Sequence, residues 1–235
     1  TPPFHGGNRG SNPLGDAILF PSFKRVNFMS LDLRVLEHIY KSEIKDVISI
    51  AIYARDTGDW DAIRDCFHSD AKLTTSWFTG TVEEFIAESQ KMKIIRHEGE
   101  SQKHLITNPW IRLNGDRAVA EYDLVLFQRR VLDDLEFDFT TWSRSVAILE
   151  QREDRWRIFD RTNIYEKDRM EACQPESIPS SFYDSMNLDP FPKAIRYHCW
   201  RNAKVGHDPA PNLVLKNSPE EKLVRDAAES WLTGS

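Results

Sequence analysis

Two ionisable side chains, Asp56 and His104, are of the types that can move a proton together. Histidine titrates near neutral pH, and a carboxylate beside it fixes which ring nitrogen carries the hydrogen and steadies the ring once it is charged. Asp56 falls at the end of a helical pattern, where a carboxylate faces the negative end of the helix dipole at a cost of about 0.3–1 kcal/mol. Three readings fit that conflict: an exposed last-turn residue, a partner for Arg55 or Arg64, or a residue kept for use. His104 opens the run His104-Leu105-Ile106-Thr107-Asn108-Pro109-Trp110. Strand alternation puts His104, Ile106, Asn108 and Trp110 on one face. That mixture suits a pocket wall that is apolar with a few polar anchors, and a core histidine bonded to backbone fits it equally. Pro109 lacks a donor and implies a bulge or an edge. Asn108 and Trp110, together with Tyr53, Trp77 and Tyr122, are the candidate substrate-binding residues.

Other groups carry weaker signals. Asp160, Arg161 and Asn163 lie near the end of the last strand-like run. Alternation puts Asp160 with Trp156, Ile158, Thr162 and Ile164, and Arg161 and Asn163 with Phe159 and Tyr165. An outward Asp–Arg ion pair, with Arg144 as a further partner, is the commoner fate of such charges. His68-Ser69-Asp70 reads as a helix-ending turn. His198, Cys199 and His207 lack metal-ligand spacing, and Gly-rich phosphate loops and GxSxG elbows are absent, so neither metal nor cofactor is expected. Cys66, Cys173 and Cys199 form no CxxC pair and read as free thiols.

The net charge of −6 argues against binding nucleic acid, which needs clustered Lys and Arg, and against an anionic membrane face. No apolar run reaches the ~20 residues of a membrane span, and the opening residues lack the basic and apolar regions of a signal peptide. A cytoplasmic location is the expectation.

The elements that must position these side chains follow from periodicity. Residues 1–30, rich in Pro, Gly and Asn, read as a flexible arm. Leu36, Tyr40, Ile44, Val47, Ala51 and Ala54 share one helical face, with Ser42 able to cap a second segment. Gly58 ends that helix and Asp59 caps a short one through Trp60, Ile63 and Phe67. A β-rich run over 71–78 precedes a capping box at Thr81-Val82-Glu83-Glu84, which opens a third helix carrying Phe85, Ser89 and Met92. The period then changes to two over 102–113, 117–130, 137–151 and 155–166, with a hairpin signal at Asn114-Gly115-Asp116. Helices followed by antiparallel strands give an α+β plan with helices closing a curved sheet over 31–170. Beyond it, 171–235 is a Pro-interrupted extension ending in a helix from Pro219 to Trp231, too apolar to float free. Its aromatics favour a homo-oligomer, dimer or trimer.

Several separated segments resemble the SnoaL-like proteins of the NTF2-like superfamily. These are Tyr53-Ala54-Arg55-Asp56-Thr57-Gly58-Asp59-Trp60, then Cys66-Phe67-His68-Ser69-Asp70-Ala71, then His104-x3-Asn108-x2-Ile111, and the ending from Arg155 to Asp168. The resemblance covers about residues 40–170 and implies a cone of curved antiparallel sheet wrapped by three helices. Members include polyketide cyclases, scytalone dehydratase, a bile-acid dehydratase, a dehydrochlorinase and the small subunits of ring-hydroxylating dioxygenases. In the dehydratase-like members an Asp ending the first helix and a His opening the next long strand form a dyad, which falls on Asp56 and His104. Those members often carry a pocket Tyr upstream of the Asp, where this chain has Ala51 or Ile52; Tyr53 fits only with a shortened helix end. The implied function is a cofactor-independent dehydratase, isomerase or cyclase acting on a small, largely apolar, ring-containing molecule. The alternative is a non-catalytic ligand-binding or assembly module.

Overall fold

The computed structural model describes residues 32–94 and 97–234, so the expected N-terminal arm lies outside the described residues. In chain order the elements are α1 (Leu33–Thr57), α2 (Trp60–Cys66), β1 (Phe67–Thr74), β2 (Thr79–Thr81), α3 (Val82–Ile94), β3 (Ser101–Ile106) and β4 (Trp110–Asn114). There follow β5 (Arg117–Leu132), β6 (Leu135–Arg152), β7 (Arg155–Ala172), α4 (Ser180–Asp184), α5 (Arg196–Lys204), β8 (Val214–Leu215) and α6 (Pro219–Thr233).

α1 is one helix. Ile44, Ile48, Ala51, Ile52 and Ala54 make its buried stripe, and Gly58, at φ 79°, ends it in the left-handed conformation that a Cβ would strain. The break expected at Ser42 does not occur, because Ser42 sits on the exposed side, where its hydroxyl leaves the helix ladder alone. Asp59 caps α2 by accepting from the Ala62 N–H at 3.1 Å. At the start of α3 the Glu84 carboxylate accepts from the Thr81 N–H at 2.8 Å, while the Thr81 hydroxyl accepts from the Glu84 N–H at 3.4 Å, the reciprocal capping box. His68-Ser69-Asp70 belongs to β1 rather than to a turn, and His68 Nε2 lies 3.0 Å from the Glu150 carbonyl oxygen. Pairing with the neighbouring strand overrides the local turn signal.

The sheet runs β2-β1-β7-β6-β5-β3, with β4 continuing along β5 and β8 alongside β7. The long strands are antiparallel, whereas β1 joins β7 in parallel. β5 and β6 turn at Asp133-Asp134, and β6 and β7 at Glu153-Asp154, all four residues at φ between 51° and 62°. Two consecutive residues with positive φ make the tight hairpin turn whose twist matches that of the strands.

Three irregularities set which side chains face inward. The β3 register ends with Ile106 opposite Leu124 and Thr107 bonded to Asp123, but β4 resumes with Trp110 opposite Glu121, so one extra residue lies at Asn108-Pro109. On β7, Phe159 and Glu166 are likewise extra, since Ile148 and Leu149 face Asp160 and Ile158 while Trp142 and Ser143 face Lys167 and Tyr165. Each bulge turns the following residues to the opposite face.

The inner face packs on α1, α2 and α3 through a core including Ile48, Phe85, Ala120, Leu149 and Ile158. On the outer face, Val119, Val146 and Ile164 are covered by α6 through Ala228, Leu232 and Trp231. The third cluster joins Phe137 and Phe139 of β6 to Phe182 of α4 and Trp200 of α5. The extension therefore docks on the same sheet, and regular helices form between its prolines. Among the described residues no helix is long and apolar enough to cross a membrane.

Phe137 and Phe182 stack at 4.8 Å between ring centroids. Replacing a buried Phe by Ala costs about 3–5 kcal/mol. Phe182→Ala is expected to weaken docking by that order, so amide exchange across α4 and α5 accelerates while β5, β6 and β7 stay protected. Equal loss of protection over the whole sheet would contradict a separately docked extension.

Candidate functional site

The inner face of the sheet does not pack fully against the helices. Between them lies a cavity of about 170 Å³, roofed by α5 and floored by the strands. Its apolar lining comes from Ile52 of α1, Phe85 of α3, and Leu124 and Leu126 of β5, with Trp77 closing one side. Trp77 stacks on Phe85 at 5.7 Å and meets the His207 ring edge-on.

His104 lines this cavity and is held from behind by Asp56. The Asp56 carboxylate accepts two hydrogen bonds from His104, one from the backbone N–H at 2.7 Å and one from Nδ1 at 2.6 Å. Both side chains are 16% exposed, so the pair is sheltered, and of the two it is His104 that lines the cavity. Burial pushes the Asp56 carboxyl up, but the His104 ring and backbone N–H, with the Gln102 side chain, more than offset it and hold the group below its ordinary value. An ionised carboxylate can only accept, so Nδ1 carries the hydrogen and Nε2 keeps its lone pair. Burial also lowers the His104 pKa, the Arg55 and Arg161 cations lower it further, and Asp56 opposes them without reversing the direction. The result is a neutral imidazole with its basic nitrogen on the cavity side and a fixed tautomer. The partner read for Asp56 among the arginines is excluded for Arg64, which pairs with Asp61 and Glu83.

A second group of polar side chains stands across the cavity. The His198 ring of α5 is bracketed by the Ser76 hydroxyl at 2.6 Å from Nε2 and the Thr141 hydroxyl at 3.1 Å from Nδ1. Its pKa is pushed well below the ordinary value by burial first and by Arg201 next. The Asp168 carboxylate accepts from the His198 backbone N–H at 2.7 Å, and burial raises its pKa to about 6. From β7 come Arg161, Asn163 and Tyr165. The Tyr165 hydroxyl accepts from the Ser76 N–H at 2.8 Å, and Asn163 accepts from Ser145 at 2.6 Å. Arg161 lies over the Phe67 ring, and its Nε has no partner among the described residues. Among the described residues no cluster of three His, Cys, Asp or Glu side chains suits a metal.

Of the residues singled out from the sequence, His104 and Trp77 line the cavity, and Asp56 stands behind His104, bonded to its ring. Asn108, Trp110, Tyr53 and Tyr122 do not line the cavity. The bulge at Asn108-Pro109 turns Ile111 into the core and leaves Trp110 outside, 62% exposed, beneath the Arg112 guanidinium. Asn108 is exposed in the bulge itself. Tyr53 follows the cavity residue Ile52 by one helical position, roughly 100° around the axis, and is 73% exposed. Tyr122 is buried in the core with its hydroxyl lacking a partner among the described residues. Arg161 and Asn163, weaker candidates in the sequence with an outward ion pair as the expected fate of Arg161, instead line the cavity together with Tyr165 and are buried. The bulge at Phe159 puts them on the same face as Trp156 and Ile158, so continuous alternation misplaces them. Arg144 pairs with Asp123. His198, Arg201 and Asn202 escaped the sequence reading of this site; their three- and four-residue spacing was available, but only once a helix is assigned among the prolines.

Residues 40–162 match the SnoaL-like domain family. A PEP2-like protein of Fusarium vanettenii is 28% identical over 199 residues, 77% of this chain and 80% of that protein. Two solved structures share the fold. A candidate scytalone dehydratase from Novosphingobium aromaticivorans has TM-score 0.50 and 11% identity, covering 63% of this chain and 99% of that one. A hexachlorocyclohexane dehydrochlorinase from Novosphingobium barchaimii has TM-score 0.53 and 14% identity, covering 60% and 95%. The matched family region ends before α4 to α6, so His198 and its neighbours come from outside it.

The His104 ring is expected to titrate below the ordinary histidine value of 6.5, and His198 lower still. Asp56→Asn removes the group that favours imidazolium and is expected to move His104 further down. Side-chain nitrogen NMR across an acid-to-neutral titration reads both, and a His104 midpoint at or above 6.5 would contradict the geometry.

Proposed function

The chain belongs to the SnoaL-like domain family, and on that premise we propose that it is a cofactor-independent lyase or isomerase of dehydratase type, acting on a small ring-containing molecule. The observation that supports this reading best is the Asp56–His104 pair, hydrogen-bonded at 2.6 Å beside a largely apolar cavity. The two solved structures of like fold are named for eliminations, one of water and one of hydrogen chloride, in keeping with the same kind of step.

In the proposed reaction His104 Nε2 takes the proton from a ring carbon next to a carbonyl. The electron pair of that C–H bond becomes a C=C bond as the C–O bond to a hydroxyl on the neighbouring carbon breaks. The imidazolium then gives its proton to the departing hydroxyl, so water leaves and the ring returns to its neutral form. Asp56 holds Nδ1–H throughout and stabilises the imidazolium, which in a buried site would otherwise be costly. Arg161, with donor capacity to spare, suits the negative charge that builds on the carbonyl oxygen. The walls of Trp77, Phe85, Leu124 and Leu126 exclude water and hold the ring.

The test is turnover of a panel of cyclic β-hydroxyketones, read as loss of one water by mass spectrometry. His104→Ala and Asp56→Asn are expected to lower kcat by about 10²–10⁴-fold. Because the base works when neutral, activity is expected to persist below pH 6.5 and fall on further acidification, as the depressed imidazole takes its proton. Unchanged turnover in both variants would refute the mechanism.

A further inference from the structure

At the cavity wall, α5 presents Arg201 against Gln128 of β5. The Arg201 side chain is almost fully buried, the residue being only 5% exposed, and each of its partners is neutral. One nitrogen donates to the Gln128 carboxamide oxygen, another to the Asn202 side-chain oxygen at 2.5 Å, and His198 Nδ1 stands at 3.5 Å. Its cationic face lies over the Phe139 ring at 5.4 Å. No carboxylate of the described residues forms an ion pair with it: Asp168 is turned to the α5 backbone, and Glu100 accepts from the Val131 N–H at 2.9 Å. A guanidinium has five N–H donors, so these neutral contacts leave some unused. Buried charges are ordinarily paired, because removal from water is costly and neutral hydrogen bonds replace only part of the hydration.

The wider lining has the same sign. Although the chain carries −6 overall, Arg55, Arg130, Arg161 and Arg201 all line this cavity, against the one lining carboxylate of Glu100, while the Asp56 carboxylate behind the lining is already engaged by His104. Burial together with the Arg130 charge lowers the Arg201 pKa to about 9, as expected where a cation lacks a counter-ion.

We propose that Arg201, with Gln128 and Asn202, receives a carboxylate borne by the ring-containing substrate, so that the cavity selects cyclic acids over their neutral counterparts. This rests on the ligand cavity proposed above but not on the dyad's chemistry. The planar guanidinium fork matches a carboxylate in two parallel hydrogen bonds. The fork is flanked by neutral Gln128 and Asn202, a setting that suits a planar, singly charged carboxylate better than a tetrahedral, doubly charged phosphate. Because α5 belongs to the extension, the acid group would be read by a segment beyond the matched family region, while His104 acts from β3.

Calorimetric titration of the full chain with benzoate, 2-naphthoate and indole-3-acetate, each beside its amide, tests this directly. In at least one pair the acid is expected to bind about 10–100-fold tighter than the amide, the range for hydrogen bonds to a charged group. Arg201→Gln is expected to erase the difference by weakening the acid far more than the amide, and His104→Ala to preserve it. Should Arg201→Gln fail to fold, Arg201→Lys, which keeps the charge and loses the fork, is expected to retain a reduced preference. Equal affinities within every pair, no detectable binding in any, or a preference surviving Arg201→Gln overturns the assignment. Tighter binding of phenyl phosphate than of benzoate overturns the choice of carboxylate. A clear acid preference combined with unchanged turnover in the dyad variants leaves this inference standing and removes the mechanism instead.

Discussion

The site depends on a carboxylate placed where a helix disfavours it. Asp56 sits in the last turn of α1, against the negative end of the dipole and partly out of water, and both effects favour its protonation. Two hydrogen bonds from one residue, the His104 N–H and the His104 ring, reverse that balance. They also tie the end of α1 to β3, which pairs with β5. Neither partner is satisfied without the other, since the buried carboxylate needs donors and the ring needs a fixed tautomer. The same contact that joins helix to sheet therefore leaves Nε2 free beside the cavity.

The cavity exists because the inner sheet face changes character along its length. Near α2 it is closed by Ala120, Leu149, Trp156 and Ile158, which pack against the helices as an ordinary core. Farther along the strands the inward positions become Ser143, Thr141, Asn163, Tyr165 and Gln128, which cannot be buried against apolar helices without partners. Most satisfy one another across strands, as Ser145 does with Asn163, or meet α5. The bulges at Phe159 and Glu166 make this possible by resetting β7 twice, so that core residues, cavity residues and the Phe-rich end all face inward on one strand.

The extension is the second constraint. Through Phe182 and Trp200 it docks on the exposed end of β6, and Ile195 and Cys199 join Tyr165 in a small cluster of their own. That docking brings His198 and Arg201 over the open side of the cone and excludes water from charged groups that would otherwise be solvated. Their lowered pKa values follow from this burial, together with the positive charges that face one another across a small space.

Much of this was determined by local sequence. The capping box at Thr81 and Glu84, the cap at Asp59, the stop at Gly58 and the alternating runs joined by tight turns specify helices and strands through interactions within a few residues. So the α+β plan and the places of Asp56 and His104, at a helix end and a strand start, were legible from order alone. Facing was not. Alternation assumes an unbroken pleat, and single extra residues at Asn108-Pro109 and Phe159 exchanged the positions of Trp110 and Arg161 between surface and cavity. A bulge forms where partner strands must curve around a core, and that is a property of the whole sheet. The roof over the site was equally hidden, because α5 has no strong local signal between its prolines and is held by aromatic packing on strands far away in the chain. What tertiary structure alone decided is which charges end up together out of water, and there the chemistry of Asp56, His104, Arg161 and Arg201 is set.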